Sequence, residues 1–212
     1  MIDLLKQYVD SGIFLSDYQF DKLPRSLKIT YIRRSAINKM GFCLSARKFV
    51  TENFNNNTFN DEIIKNIIAD NSNYIEFVDN PSEPVQLAAV SNIPSTIRHI
   101  KNPSEKVQLA AVKKHGHVID YIIKKGIIPS EKVQLAAVSE NGPSIKYIVR
   151  KGITPSEPVQ LAAIKEGATY IEYIDEPTEN VQLAAVTKNP KVFKYIKNPY
   201  PSVIKLYKEL TK

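Results

Sequence analysis

The decamer PSEKVQLAAV occupies Pro103–Val112 and returns unchanged at Pro129–Val138. Near copies begin at Pro81 (PSEPVQLAAV), Pro155 (PSEPVQLAAI) and Pro177 (PTENVQLAAV). The valines that open VQLAA are Val85, Val107, Val133, Val159 and Val181, spaced by 22, 26, 26 and 22 residues. Self-similarity at such a period marks stacked repeats, because one copy is too small to bury its own apolar face. One step of 22 back from Val85 reaches Ile63, in NDEIIKNIIADNSNYIEFVDNP, a degenerate first copy. One step of 22 forward from Val181 reaches Val203, in PYPSVIKLYKELTK, a truncated and more polar last copy.

Each unit reads as two short helices. Ser82, Ser104, Ser130, Ser156 and Thr178 stand where an N-cap accepts from the first turn. The next residue is Glu in every case, which suits the positive end of a helix. Pro84 and Pro158 fall in the first turn, where no intrahelical bond is lost. V-Q-L-A-A-V/I is apolar almost throughout and has to be covered on several sides. Gly, Asn or Pro then ends the helix. A second helix of about seven to ten residues follows, marked by isoleucine pairs such as Ile119/Ile122 and Ile145/Ile148. It is too short to stand alone in water.

PSEKVQLAAV followed by a short helix resembles the α-helical repeats of the HEAT and leucine-rich-variant families, and short tandem repeats of phage proteins. The resemblance covers about residues 59–212. It implies an all-α, right-handed α-solenoid of about six helix pairs, in units near 59–80, 81–102, 103–128, 129–154, 155–176 and 177–198, with 199–212 truncated. It also implies a binding role. Together with a composition rich in Lys, Asn and Ile, it suggests a phage-encoded protein that binds and inhibits a host factor. Residues 1–58 lack the repeat and read as an N-terminal helical cap. Helices are expected there at Leu4–Val9, at Leu27–Lys39 after a Ser26 cap and at Ala46–Phe54, with Asn55–Thr58 as the junction.

Equivalent positions of stacked units form columns. Gln86, Gln108, Gln134, Gln160 and Gln182 form one, read as an amide ladder or as a row of donors and acceptors on a binding face. Phe77, His99, Tyr121, Tyr147, Tyr173 and Tyr195 form another. It suits packing between second helices, or stacking on bases. Beside it run Glu76, Arg98, Asp120, Lys146, Glu172 and Lys194, alternating in sign, which predicts pairing between neighbouring units. The two long units each gain four residues, about one helical turn. The added turns carry Lys124-Lys125 and Arg150-Lys151, two basic pairs expected side by side on one edge. Lysine and arginine there suit a helix C-terminus, or dock an anionic partner.

The net charge is +7, and residues 103–154 hold nine Lys/Arg against four Asp/Glu. That balance fits an acidic protein surface first and a nucleic-acid backbone second. Cys43 is the single cysteine, which rules out an intrachain disulfide. No catalytic, phosphate-binding or metal-ligating motif is present, so neither an enzyme nor a cofactor is expected. No stretch reaches the ~18 apolar residues of a membrane span, and the first residues lack a signal-peptide pattern. The expected place is the cytoplasm, that of the host if the source is viral.

Overall fold

The computed structural model describes residues 15–37, 48–49, 52 and 61–212. These are helical, with no strand among the described residues. Contacts divide the chain into two compact units, Met1–Pro103 and Ser104–Lys212. The expected helix Leu4–Val9 and the junction Asn55–Thr58 lie outside the described residues.

In the first unit, α1 (Asp17–Asp21) is started by a capping box. The Ser16 hydroxyl oxygen accepts from Gln19 N–H at 3.3 Å, and the Gln19 side chain accepts from Ser16 N–H at 3.0 Å. Helix α2 (Arg25–Ile37) begins one residue before Ser26, so Ser26 is helical rather than a cap. The correction has a local reason: Pro24 sits before the helix, and its carbonyl accepts from Lys28 N–H at 3.0 Å. Phe20 meets Tyr31 edge-on at 5.6 Å, both buried. Helix α2 packs on α3 (Asp61–Asp70), and α3 packs on α4 (Glu83–Asn92). The 3-10 helices Ser72–Phe77 and Pro94–His99 follow α3 and α4 and touch each other.

The second unit holds the longer run of repeats. Its long helices are α5 (Glu105–Val112), α7 (Glu131–Glu140), α9 (Glu157–Glu166), α10 (Glu179–Lys188) and α11 (Pro201–Leu210). Each packs on the next in that order. A second row packs likewise: α6 (Ile119–Lys124), α8 (Ile145–Arg150), then the 3-10 helices Ala168–Tyr173 and Pro190–Tyr195. In VQLAAV the two valines and the second alanine are buried, as at Val133, Ala137 and Val138, against Ile119, Ile145, Ile148 and their equivalents. Small residues let successive helices approach closely. A Cβ on Gly116 would stand 2.2 Å from the Ala137 carbonyl oxygen. At the end of the row, α11 buries Val203 and stacks Tyr207 on Phe193 at 4.2 Å, while Lys205 and Lys208 face water.

The second helices are shorter than expected where the step is 22 residues. There they are six-residue 3-10 helices, ended by an extended isoleucine such as Ile174. In the two 26-residue units a three-residue 3-10 turn, Gly116–Val118 or Gly142–Ser144, runs on into six residues of α-helix. The extra turn needs a stop, and Gly126 and Gly152 provide it at φ 80° and 74°, in the left-handed region. The N-caps also differ from expectation. Ser104 and Thr178 accept from Val107 and Val181 N–H at 3.4 Å. Ser82, Ser130 and Ser156 make no such bond. The Ser130 and Ser156 hydroxyls instead donate to Glu105 and Glu131 of the preceding repeat, each at 2.5 Å.

Candidate functional site

Helices α6 and α8 are adjacent, and on each a tyrosine and a cation are three residues apart. Tyr121 and Lys124 therefore share one face of α6, as Tyr147 and Arg150 share one face of α8. Lys124 lies near enough to both Tyr121 and Tyr147, and Arg150 to Tyr173, for a charge on one to bear on the titration of the other. A row results: Tyr121, Lys124, Tyr147, Arg150, Tyr173. Its rings are half-buried and its cations exposed. Tyr195 extends the aromatic column on the neighbouring 3-10 helix and is 38% exposed. The aromatic column and one residue of each basic pair, separate features in the sequence, thus come together.

The other predicted residues behave differently. Lys125 caps α6 and is half-buried, and burial lowers its pKa. Burial takes part of the Lys125 ammonium out of water, so it presents less of its charge to a partner than exposed Lys124 does. Lys151 caps α8, is exposed and lies beyond the row. Lys146 turns onto its neighbour, with Nζ 5.1 Å from the centre of the Tyr147 ring, and Lys194 does the same over Tyr195 at 4.9 Å. His99 lies in the first unit, half-buried, and its Nε2 accepts from Arg98 Nε–H at 2.9 Å.

The alternating charges do not pair between repeats as expected. Among the described residues Asp120 binds Lys124 of its own helix at 2.6 Å, and Glu172 is bonded to the Tyr173 hydroxyl. That Glu172 bond, and the carboxylate charge beside it, raise the Tyr173 pKa. The side-chain hydrogen bond from Lys124 to Asp120 raises the Lys124 pKa. The physical reason is reach. A partner one turn away on the same helix is held close by the backbone, whereas the neighbouring repeat stands about 8–10 Å off.

The Gln column is not a ladder from amide to amide. Each of four glutamines donates from Nε2 to the proline carbonyl that opens its own repeat. The distances are 2.7 Å for Gln86 to Pro81 and 2.9 Å for Gln134 to Pro129. They are 2.9 Å for Gln160 to Pro155 and 3.1 Å for Gln182 to Pro177. The column therefore clips the loop that precedes each long helix. Gln182 also reaches the loop into the next unit, donating to the Asn198 carbonyl and accepting from Tyr200 N–H, each at 3.2 Å. Among these glutamines and glutamates it is the Glu after the cap that joins successive repeats. Glu105 takes Ser130, Glu131 takes Ser156, Glu157 takes Asn180 at 3.0 Å, and Glu179 takes Ser202. The sequence carried a signal for this ladder, since Ser/Thr and Glu recur at the same two positions of successive copies.

Among the described residues no group of three or more His, Cys, Asp or Glu is placed to hold a metal, and no helix is long and apolar enough to cross a membrane. No protein-family model, no curated protein and no solved structure matches the chain.

Proposed function

We propose that the chain is a non-enzymatic protein-interaction module. In this reading it is a right-handed α-solenoid of short helix pairs, similar in plan to HEAT-like repeats, and its row of tyrosines and cations receives an acidic segment of a partner protein. The observation that carries the reading is the interleaving of half-buried Tyr121, Tyr147 and Tyr173 with exposed Lys124 and Arg150. Tyrosine and arginine are the side chains that supply most binding energy at protein interfaces. Four of the row's five residues, Tyr121, Lys124, Tyr147 and Arg150, also lie on the two units that gain a turn, and insertions in repeat arrays commonly mark the binding face.

A nucleic-acid strand is the second reading, favoured by the alternation of rings and cations. Two observations favour protein. Lys146 and Lys194 place their ammonium groups over the Tyr147 and Tyr195 rings, which leaves less of those rings for a base to stack on. Asp120 and Glu172 set carboxylates into the same row, which suits a patterned partner better than a uniform phosphate backbone. A phage-encoded inhibitor of a host factor is one specific form of this module.

The test is affinity capture with the tagged chain from host or infected cells, half of each lysate treated with nuclease, using wild type, Arg150→Glu and Tyr147→Ala. A protein held by wild type, resistant to nuclease and lost with both variants supports the reading. Nucleic acid in the untreated eluate, with affinity falling steeply with salt, overturns it in favour of the second.

A further inference from the structure

A second surface lies along the loops that lead from the second row into the long helices of residues 104–212. Two cavities open there, side by side. The smaller, about 140 Å³, has an apolar wall from Val149, Ile153 and Ile174, with Gln160, Asp175 and Glu176 completing its lining. The larger, about 720 Å³, shares Ile174, Asp175 and Glu176 and continues to Tyr195 and Tyr200. Its size is that of a ligand pocket.

Gln160 and Gln182 hold equivalent positions in successive repeats, and their amide oxygens differ. Gln182 Oε1 accepts from Tyr200 N–H at 3.2 Å. Gln160 is only 4% exposed, and its Oε1 has no hydrogen-bond partner. A buried amide oxygen without a donor is unfavourable until a donor reaches it. Two carboxylates stand on the same cavity. Asp175 meets Lys197 at 3.7 Å, with both side chains 77% exposed, a loose pair. No ion pair among the described residues engages Glu176. Between Lys165 and Lys188 the chain has five acidic residues and no lysine or arginine, so no neighbouring cation in sequence neutralises them.

An apolar wall, two exposed carboxylates and an acceptor lacking its donor describe a receptor for a cation with several N–H groups on an aliphatic stem. Arginine fits best, because its planar fork carries five donors and keeps its charge. We propose that the smaller cavity takes an arginine side chain of a partner polypeptide. Its stem lies on Val149, Ile153 and Ile174, one N–H reaches Gln160 Oε1, and Asp175 and Glu176 share the charge. The rest of the bound segment crosses the larger cavity past Tyr195 and Tyr200. This surface is opposite in charge to the tyrosine–cation row and meets the aromatic column only at Tyr195.

The test is a heteronuclear NMR titration of the full chain with N-acetyl-arginine methylamide, following the Gly152 amide and the Gln160 side-chain amide. The uncharged citrulline analogue is the comparator. The expected result is a saturable shift at these two probes with affinity on the order of millimolar, as for a ligand of this size. The citrulline analogue and the double variant Asp175→Asn/Glu176→Gln should each bind about tenfold more weakly. Both substituted carboxylates are exposed, so the variant should fold normally. Equal shifts with arginine and citrulline, shifts that never saturate, or binding unchanged in the double variant would overturn the proposal and leave the cavity as a place for water.

Discussion

The close approach of successive repeats is tested most directly at Gly116. Its N–H donates to the Glu140 carboxylate of the next repeat. An alanine Cβ there would lie 2.2 Å from the Ala137 carbonyl oxygen, 2.9 Å from Glu140 Oε2 and 3.0 Å from Asn141 Cβ. A carbon and a carbonyl oxygen rest comfortably at about 3.3 Å, so the two repeats must part by about 1 Å. The obstructing atom is backbone, and no side-chain rotation relieves it. Overpacking of this kind costs about 1–3 kcal/mol. With a urea slope of about 1–3 kcal/mol/M, the Gly116→Ala midpoint should fall by about 1 M. Gly126 is the control. Nothing lies within 4 Å of a Cβ there, and only its φ of 80° restricts it. Asparagine tolerates that conformation, so Gly126→Asn should cost under about 1 kcal/mol. Gly116→Asn should be at least as damaging as Gly116→Ala. Circular dichroism in urea separates the cases. A Gly116→Ala midpoint equal to wild type, or a larger loss from Gly126→Asn, would refute the claim that contact between repeats, and not backbone conformation, requires glycine at Gly116.

Other expectations concern polar groups. Gln134→Leu removes the donor to the buried Pro129 carbonyl and should destabilise by about 1–3 kcal/mol in the same assay, with the fold retained. Hydrogen bonds from Thr178 and Asn180 hold the Glu157 carboxyl below its ordinary 4.5. A carboxyl lowered in the folded state adds stability above its unfolded pKa, and that stability is lost as pH falls through the folded value. The advantage of wild type over Glu157→Gln should therefore be present at about pH 6 and shrink as pH falls through the folded value; an advantage independent of pH would contradict the assignment. On the binding row, Arg150→Gln should weaken partner capture more than Lys124→Gln, because Lys124 already pairs with Asp120 at 2.6 Å. Quantitative pull-down ranks the two, and Arg150 is exposed enough that stability should move by less than about 0.5 kcal/mol.

Much of the helical layout was legible because its causes are local. Pro-Ser/Thr-Glu announced every long helix from Glu83 to Glu179, and the steps of 22 residues back and forward fall within the helices Asp61–Asp70 and Pro201–Leu210. The starts of α1 and α2 were less legible. The capping box of Ser16 and Gln19 is short and isolated, and Pro24 rather than Ser26 sets the beginning of α2. The length of the second helices was not legible because isoleucine spacing does not separate a 3-10 helix from an α-helix of six residues. In the candidate site the grouping of the aromatic column with one residue of each basic pair was not visible in the sequence. Lys124 and Lys125 are neighbours in sequence, yet about 100° of helical rotation sends one to the tyrosines and the other into a half-buried position.

The sequence by itself therefore determined that the chain is helical, where its long helices begin, and that identical units recur, because caps, turn residues and apolar periodicity act over a few residues. Only the tertiary structure decided which polar groups meet. Glu131 finds Ser156, Gln134 turns back to Pro129, Asp120 prefers Lys124, and Lys124 comes near Tyr147 of the next repeat. Those choices depend on how closely neighbouring helices approach and how they are rotated, and contacts such as Gly116 on Ala137 set both.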